Sequence, residues 1–310
     1  MVFGLFSRDE PSHAERNLEE MKRLGVDAIS IVVAWVTPDV RSTELFPRDD
    51  MTPRDAALRF ALREAGRLGM RTFLMPFIYV DRMGAGEWRG TIDPPDWDAW
   101  FAAYSGMILH YARLAEEEGV TYLSVGSELC SSESRTDAWR ALIERVRTIY
   151  GGALTYSFNW DHREEAGFAG DLDYLGTNAY FELAEDPEAG VEELKSAWSA
   201  VIPRLEAWRA GLGKPLILTE VGYPSRRGAA VHPWDYTDDA PVDPEAQGRA
   251  YRAFVDSWAG AAGLAGVYFY LWWGEGGPAD KGYTPRGKPA EKIVRDWYSA
   301  SGKGEIDASE

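Results

Sequence analysis

The sequence lacks most features that mark secreted or membrane proteins. Its 310 residues include one cysteine, Cys130, so no disulfide framework can join two parts of the chain. No apolar run approaches the roughly 18 residues that a membrane-spanning helix needs. The amino-terminal MVFGLFSRDEPSH has no basic segment ahead of its short apolar stretch and no small-residue cleavage site, which predicts a first strand and no export signal. We therefore expect a soluble, cytoplasmic protein without a membrane partner.

Motifs for metal, phosphate and serine-hydrolase chemistry are also missing. The four histidines are scattered without a His-x-x-x-His pair, and one cysteine cannot build a thiolate site. Neither a Gly-x-Gly-x-x-Gly segment after the first strand nor a Gly-x-x-x-x-Gly-Lys-Ser/Thr loop is present to cradle phosphates. SVGSEL carries glutamate where the Gly-x-Ser-x-Gly nucleophile elbow needs glycine. The sequence accordingly predicts no cofactor and no bound metal.

Positive charge is scarce relative to negative charge. The chain has 33 Lys and Arg against 50 Asp and Glu, a net charge of minus 17 at pH 7. Such a surface repels nucleic acid and anionic membranes, so we expect no nucleic-acid partner and a neutral substrate. With 45% hydrophobic and 27% charged residues, the composition is that of a globular protein.

What the sequence does contain is an alternation of apolar runs and amphipathic segments, the pattern of parallel βα units. Eight apolar runs are too continuous for half-exposed strands, so we predict that they are buried strands. They are Val2–Phe6, Ala28–Val36, Arg71–Val80, Tyr122–Gly126, Leu154–Phe158, Tyr174–Asn178, Pro215–Thr219 and Gly266–Trp272. Eight strands, each followed by a helix, predict a single-domain α/β fold, the (β/α)8 or TIM barrel, at residues 1–300. Residues 301–310 are predicted to form a polar tail.

Helix starts and long connections lie between these strands. Thr52 with Asp55 fits a capping box, and Pro244 after Asp243 takes the first-turn position of a helix. Three connections, after the third, sixth and seventh strands, are long, and loops of this length usually serve a site. They are residues 81–96, 181–190 and 222–241.

Two glutamates stand where predicted strands end, in TYLSVGSELC and KPLILTEVGYPS. Glu128 follows the fourth strand and Glu220 follows the seventh. Because parallel barrels build their active sites at the carboxyl ends of strands, we expect these side chains to face each other. Glycosidic cleavage needs one carboxylic acid to protonate the departing oxygen and a second carboxylate at the anomeric carbon. The pair therefore predicts a glycosidase, with Glu275 after the eighth strand as a weaker rival.

The surroundings of the two glutamates predict unequal roles. Leu129 and Cys130 are weakly polar, so we expect the pKa of Glu128 to be raised and Glu128 to be the acid. Tyr180 is expected near Glu220, and a phenol donor favours the ionised form that a nucleophile needs. A retaining enzyme holds such carboxyl groups about 5–5.5 Å apart and an inverting one roughly 6.5–9.5 Å apart.

Tryptophan is abundant, with 13 residues, and its flat ring suits the C–H faces of sugars. Candidates for sugar platforms at strand ends and in long loops are Trp35, Trp88, Trp160, Trp234, Trp272 and Trp273. Asn159, at the end of the fifth strand, and Arg89, beside Trp88, are candidates for bonds to sugar hydroxyls. Ordinary packing is the alternative for the rings, and a structural role in a loop is the alternative for the two polar side chains.

Several segments occur in an order typical of one enzyme family. They are STELFP, EWRGTIDP, SVGSEL, LTYSFNW, LDYLGTNAYFEL and LTEVGYPSRRGAA. By these segments, between about residues 26 and 297, the chain resembles glycoside hydrolase family 113, β-mannanases of a large clan of retaining (β/α)8 glycosidases. The resemblance implies that Glu128, in Gly-x-Glu-Leu, is the acid/base and that Glu220, in Thr-Glu-x-Gly-Tyr, is the nucleophile. It also implies that Tyr180 holds the nucleophile and that Trp272 floors the subsite of the reacting sugar.

Two positions depart from the pattern expected of that family. Many relatives in the clan carry asparagine where this chain has Ser127, and a Lys-Pro-His type segment is expected where MPFIYV contains Phe77. Both departures bear on which sugar is bound. We predict a retaining glycosidase for β-linked mannose-containing or similar neutral oligosaccharides. An inactive carbohydrate-binding barrel and a transglycosylase with the same two glutamates remain as alternatives.

Overall fold

The chain forms a barrel of parallel strands. The computed structural model describes residues 1–6, 11–163 and 166–301. Eight parallel strands pair in chain order, each with the next, into one nearly closed sheet, which confirms the predicted TIM barrel. They are β1 (Val2–Gly4), β2 (Ala28–Thr37), β3 (Arg71–Val80), β4 (Tyr122–Ser127), β5 (Ala153–Phe158), β6 (Leu175–Asn178), β7 (Leu216–Val221) and β8 (Leu264–Phe269).

Seven α-helices surround this sheet in the described part of the chain. They are α1 (Pro11–Arg23), α2 (Asp55–Arg67), α3 (Trp97–Glu117), α4 (Thr136–Arg147), α5 (Val191–Leu212), α6 (Pro244–Trp258) and α7 (Pro289–Ser301). None of them is long and apolar enough to cross a membrane. Of the predicted tail, only Ser301, the last residue of α7, belongs to the described residues.

The expectation of a helix after every strand is wrong after β5. The described residues of that connection form only a 3-10 turn, at Ala169–Asp171. Phe168 and Leu172 flank the turn and have no exposed surface, so they cover the sheet directly. Two large apolar side chains thus do here what a helix does after the other strands.

Of the two predicted helix starts, one is confirmed. The side chain of Asp243 accepts a hydrogen bond from the Ala246 backbone N–H at 2.9 Å and caps α6. The other is wrong, because the Thr52 hydroxyl donates to the carbonyl of Ala34 in β2 at 2.7 Å. Helix α2 begins at Asp55 without a side-chain cap. Thr52 therefore ties the connection to the sheet instead of starting the helix.

Apolar side chains fill part of the barrel interior. A buried cluster joins residues of five strands, so this part of the barrel is a packed core and not a pore. Its members are Val2, Phe73, Met75, Tyr122, Ile217 and Tyr268. Tyr122 is the first residue of β4 and Phe73 the third of β3, so the filling includes the amino-terminal part of these strands. A ligand is therefore expected at the carboxyl ends.

Candidate active site

Glu128 comes directly after β4, as predicted, but its backbone is unusual. Its φ of 55° lies in the left-handed region, and it is the one non-glycine residue with positive φ in the described ranges. Non-glycine residues held in this region carry strain and cluster at active sites. Its backbone N–H donates to the Ser157 carbonyl of β5 at 2.9 Å. The side chain, held at this turn, is almost wholly buried.

Both carboxylate oxygens of Glu128 accept hydrogen bonds. Arg89 Nη1 donates to Oε2 at 2.7 Å, and Asn178 Nδ2 donates to Oε1 at 2.8 Å. The guanidinium carbon of Arg89 lies 5.1 Å from the ring centre of Phe77, one of the two departures from the family pattern. The partners of Glu128 therefore come from β6 and the loop after β3. They are a cation and an amide, a more polar setting than Leu129 and Cys130 had led us to expect.

Glu220 is the second buried carboxyl group. It lies inside β7, one residue before the strand ends at Val221, and not after the strand as predicted. The hydroxyl of Tyr180 donates to its Oε2 at 2.6 Å. Burial and then the charge of Glu128 raise the pKa of Glu220 to about 8, against the lowering effects of Tyr180 and Arg89. Burial and a like charge thus outweigh one phenol in the empty site, and an ionised Glu220 stays a prediction.

Asn178 lies beside Glu220 in the sheet and bonds the carboxyl group of Glu128. It pairs with Glu220 in the register of β6 and β7, and its amide nitrogen reaches Glu128. The hydroxyl of Thr219 donates to Asn178 Oδ1 at 2.8 Å, which turns the amide nitrogen toward Glu128. That nitrogen also lies 3.5 Å from the Ser127 hydroxyl oxygen. We did not single out Asn178 from the sequence, although it is a polar residue at the end of a buried strand, the same signal that selected the glutamates.

The strand-eight aromatic residue beside the carboxyl groups is Tyr270. Burial raises its pKa, and the charge of Glu220 raises it further. Its ring centre lies 6.0 Å from that of Tyr180, which bonds Glu220. Trp272, the predicted floor, is 3% exposed, and its indole N–H donates to Glu20 of α1 at 3.2 Å. Strand β8 ends at Phe269. Side chains therefore stop alternating between the two faces of the sheet before residue 272, and the strand does not direct Trp272 into the site. These observations favour packing for Trp272 over the predicted place beneath the reacting sugar.

Two other predicted platforms take part in packing. The indole N–H of Trp35 donates to the Tyr111 hydroxyl of α3 at 3.1 Å. The ring centre of Trp160 lies 5.9 Å from that of Phe181 in an edge-on contact. Both tryptophans are partly buried against the main core. These contacts are with core and helix residues, which favours the packing alternative.

The remaining predicted residues lie in loops. Trp88 precedes Arg89, and a Cβ atom at Gly90 would come within 2.3 Å of the Trp88 ring, so the ring covers this glycine. Asn159 Nδ2 donates to Asp161 at 2.6 Å near the surface. Trp273 is 37% exposed and leaves part of its ring open to a ligand. The rival Glu275 has 92% of its side chain exposed, which is unlike a catalytic carboxyl group.

A third carboxyl group, Glu133, is fully buried behind Glu128. Burial raises its pKa, while hydrogen bonds from His162 and Tyr156 lower it. Cys130, Glu133 and His162 also form a group of three potential metal ligands, with their ligand atoms within 4.8 Å of one another. Both Glu133 oxygens already have hydrogen-bond partners in the protein.

Known proteins share this architecture. The sequence model of Glycoside Hydrolase Family 113 matches residues 2–288. The GH113 β-mannanase AaManA from Alicyclobacillus acidocaldarius, solved in complex with ManMIm, is 27% identical, with a TM-score of 0.86 over 97% of this chain and 96% of that one. A structure of a GH113 β-1,4-mannanase is 25% identical, with a TM-score of 0.84 over 96% and 95% of the two chains. No curated protein matches.

Proposed function

The chain belongs to glycoside hydrolase family 113 and is a β-mannanase-like glycoside hydrolase, and we propose that it cleaves β-linked mannose-containing or similar neutral oligosaccharides with retention of the anomeric configuration. The observation that carries the proposal is the buried pair Glu128 and Glu220 at the carboxyl ends of β4 and β7, with Asn178 bonded to Glu128 and paired with Glu220 in the sheet. Glu220 is the nucleophile and Glu128 the acid/base of this proposal. The mannanases among the solved relatives support the sugar class.

In the first step, a Glu220 oxygen bonds to the anomeric carbon while the bond from that carbon to the leaving oxygen breaks. The proton of Glu128 passes to the leaving oxygen. In the second step Glu128 takes a proton from water, the water oxygen bonds to the anomeric carbon, and the bond to Glu220 breaks. Glu128 therefore starts the cycle protonated, and Glu220 starts it ionised.

In the empty site the two carboxyl groups have different partners. Arg89 pairs with Glu128, while burial and then the charge of Glu128 raise the pKa of Glu220 to about 8. We infer that an entering sugar separates Arg89 from Glu128, so that the Glu128 carboxyl group can meet the leaving-group oxygen. Arg89 would then bond the sugar hydroxyls during the first step and the Glu128 carboxylate during the second step. This accounts for a cation beside a group that has to act first as an acid.

Three side chains complete the proposed site. Tyr180 holds Glu220 through its 2.6 Å hydrogen bond. Many relatives of the clan carry an asparagine at the position of Ser127, and this chain lacks that amide. Asn178 offers an amide nearby, so it is our candidate for the contact to the sugar 2-hydroxyl. Tyr270 takes the platform role that we first gave to Trp272.

An NMR time course with β-1,4-linked manno-oligosaccharides tests this function. We expect new reducing ends that appear first as the β-anomer and then mutarotate, with no product from Glu220→Ala. An initial α-anomer would contradict the retaining mechanism. Binding of the oligosaccharides without any product would favour an inactive carbohydrate-binding barrel. Longer oligosaccharides formed at high acceptor concentration would identify a transglycosylase.

A further inference from the structure

The carboxyl group of Glu133 has no part in the reaction proposed above, yet Glu133 lies close behind Glu128. Its side chain has no exposed surface. The Tyr156 hydroxyl donates to its Oε1 at 2.9 Å, and His162 Nδ1 lies 2.9 Å from its Oε2. A buried carboxyl group costs free energy unless such partners satisfy it. The question is therefore what these bonds hold in place.

Tyr156 carries the connection from Glu133 to the chain at Glu128. The Tyr156 hydroxyl accepts a hydrogen bond from the Leu129 backbone N–H at 2.8 Å. A phenol has a single hydrogen to donate, and Glu133 accepts it, so an oxygen lone pair remains for Leu129. The two bonds thus fix each other's direction. Leu129 is the next residue after Glu128, so the relay ends at the peptide unit that follows the proposed acid.

That peptide unit needs support. The left-handed conformation of Glu128 is unfavourable for a residue with a Cβ atom and persists only where its surroundings over-determine it. The turn is also held by the Ser132 hydroxyl, which donates to the Leu129 carbonyl at 2.7 Å. The Tyr156 ring packs directly on Gly126 of β4 and occupies the space of a side chain there, since a Cβ atom at Gly126 would lie 2.5 Å from the ring. The ring is thus a fixed point for the Leu129 N–H.

We propose that Glu133 and Tyr156 are positioning residues that hold Glu128 in its left-handed conformation, so that its carboxyl group meets the leaving-group oxygen. The inference rests on the proposed role of Glu128 as acid/base. Neither residue touches the sugar in this account. Both act through the Leu129 N–H alone.

Two variants test the relay. Tyr156→Phe removes the hydroxyl, and Glu133→Leu removes the oxygen that accepts its hydrogen. For both we expect kcat on substrates with poor leaving groups to fall by about 10- to 100-fold, the scale of a misplaced catalytic group. The effect should be far smaller on aryl glycosides whose leaving group needs no proton, and KM should change little. If kcat of Tyr156→Phe depended on the leaving group as kcat of the wild-type protein does, the inference would be overturned.

Tyr150→Phe is the matched control. Tyr150 is also buried and donates its hydroxyl to a backbone carbonyl, that of Val120 before β4, at 2.7 Å. We expect a similar fall in melting temperature but the wild-type dependence on leaving group. If the control reproduced the kinetic change of Tyr156→Phe, that change would report lost stability, and the inference would fail.

A measurement independent of activity separates this inference from the proposed function. Hydrogen exchange at the Leu129 amide should be faster in Tyr156→Phe than in the wild-type protein, and unchanged protection would contradict the relay. A wild-type protein without glycosidase activity would refute the proposed function, while the amide would still report whether Tyr156 holds the turn. Dialysis against EDTA should leave activity unchanged. Loss of activity restored by zinc would replace the relay with a metal held by Cys130, Glu133 and His162.

Discussion

The two carboxyl groups of the site have contrasting surroundings. Glu128 follows its strand in a left-handed turn and accepts hydrogen bonds from a cation and an amide. Glu220 lies within β7, where the strand shifts register against both of its neighbours, and has one phenol as its side-chain partner. Both are almost fully buried. The difference is therefore in the donors supplied to each group and not in how much water reaches it.

This contrast teaches that the donors and charges that folding brings near, and not the sequence neighbours, set the electrostatics of each carboxyl group. Arg89 gives Glu128 a charged partner, whereas burial and the negative charge of Glu128 raise the pKa of Glu220 to about 8. The proposed reaction starts with Glu220 ionised and Glu128 protonated. Substrate binding has to change the electrostatics of the pair as well as fill the cleft. The predictions below test each side of the contrast.

Glu220→Ala should give the largest effect, because no other group of the site is expected to form the covalent bond. We expect turnover to fall by roughly 10⁴- to 10⁶-fold with all substrates, the scale on which covalent nucleophiles act. Steady-state rates on a manno-oligosaccharide and on an aryl mannoside measure it. Glu275→Ala, at an exposed glutamate, is the control and should keep wild-type rates. An active Glu220→Ala protein would remove the nucleophile assignment.

Glu128→Ala should divide substrates by leaving group. Rates on oligosaccharides should fall by about 10²- to 10⁴-fold, since general acid catalysis is lost. An aryl glycoside with a good leaving group should still form the glycosyl enzyme in a burst, and azide should speed its breakdown to a β-glycosyl azide. Equal losses of rate on both substrates, without rescue by azide, would contradict the assignment of Glu128 as the acid/base.

Glu220→Gln should stabilise the protein at alkaline pH. The folded pKa of about 8 lies above the ordinary 4.5, so the native state binds more protons than the unfolded state between these values. Wild-type stability is therefore expected to fall as pH rises from about 5 to 8, by up to about 1.4 kcal/mol per pH unit. The variant lacks this loss. Urea unfolding at pH 5 and pH 8, with Glu275→Gln as control, measures it, and parallel curves for wild type and Glu220→Gln would refute it.

Tyr180→Phe should impair the function of Glu220 without affecting that of Glu128. The hydroxyl lowers the pKa of Glu220, so its loss should raise that pKa further and move the acidic limb of the kcat/KM profile to higher pH. We expect kcat to fall by about 10²-fold, as when one preorganised donor is removed. Tyr104→Phe, which loses a buried bond to the Val125 carbonyl, should keep the wild-type profile. The same shift in both variants would mean that the phenol of Tyr180 is not special.

The smallest effect is expected at strand eight. Tyr270→Ala should raise KM by up to about tenfold, the scale of a lost aromatic contact, with little change in melting temperature. Trp272→Ala should lower the melting temperature with little change in KM, because its ring is buried and bonded to Glu20. Opposite results for the two variants would return the platform to Trp272.

The fold was largely predictable. The predicted β3, Arg71–Val80, has the bounds that the structure shows, because a long apolar run is a local signal. Glu128 was also predicted at its place after β4. Strand β7, in contrast, runs two residues further than predicted and includes Glu220. The prediction ended the strand at the first charged residue, but this glutamate is part of the strand. The partners Arg89 and Asn178 come from other strands and loops, and no local pattern identifies them as a pair.

The sequence by itself determined the barrel and the two glutamates, because hydrophobic periodicity and the order of motifs along a chain are local properties. Only the tertiary structure decided which aromatic residue lies beside them, in which direction the pKa of Glu220 is shifted, and what supports the turn at Glu128. These depend on burial and on distances between residues such as Arg89, Glu128 and Glu220, which folding alone brings together. Electrostatic energies change steeply with both quantities, and neither can be read from the chain.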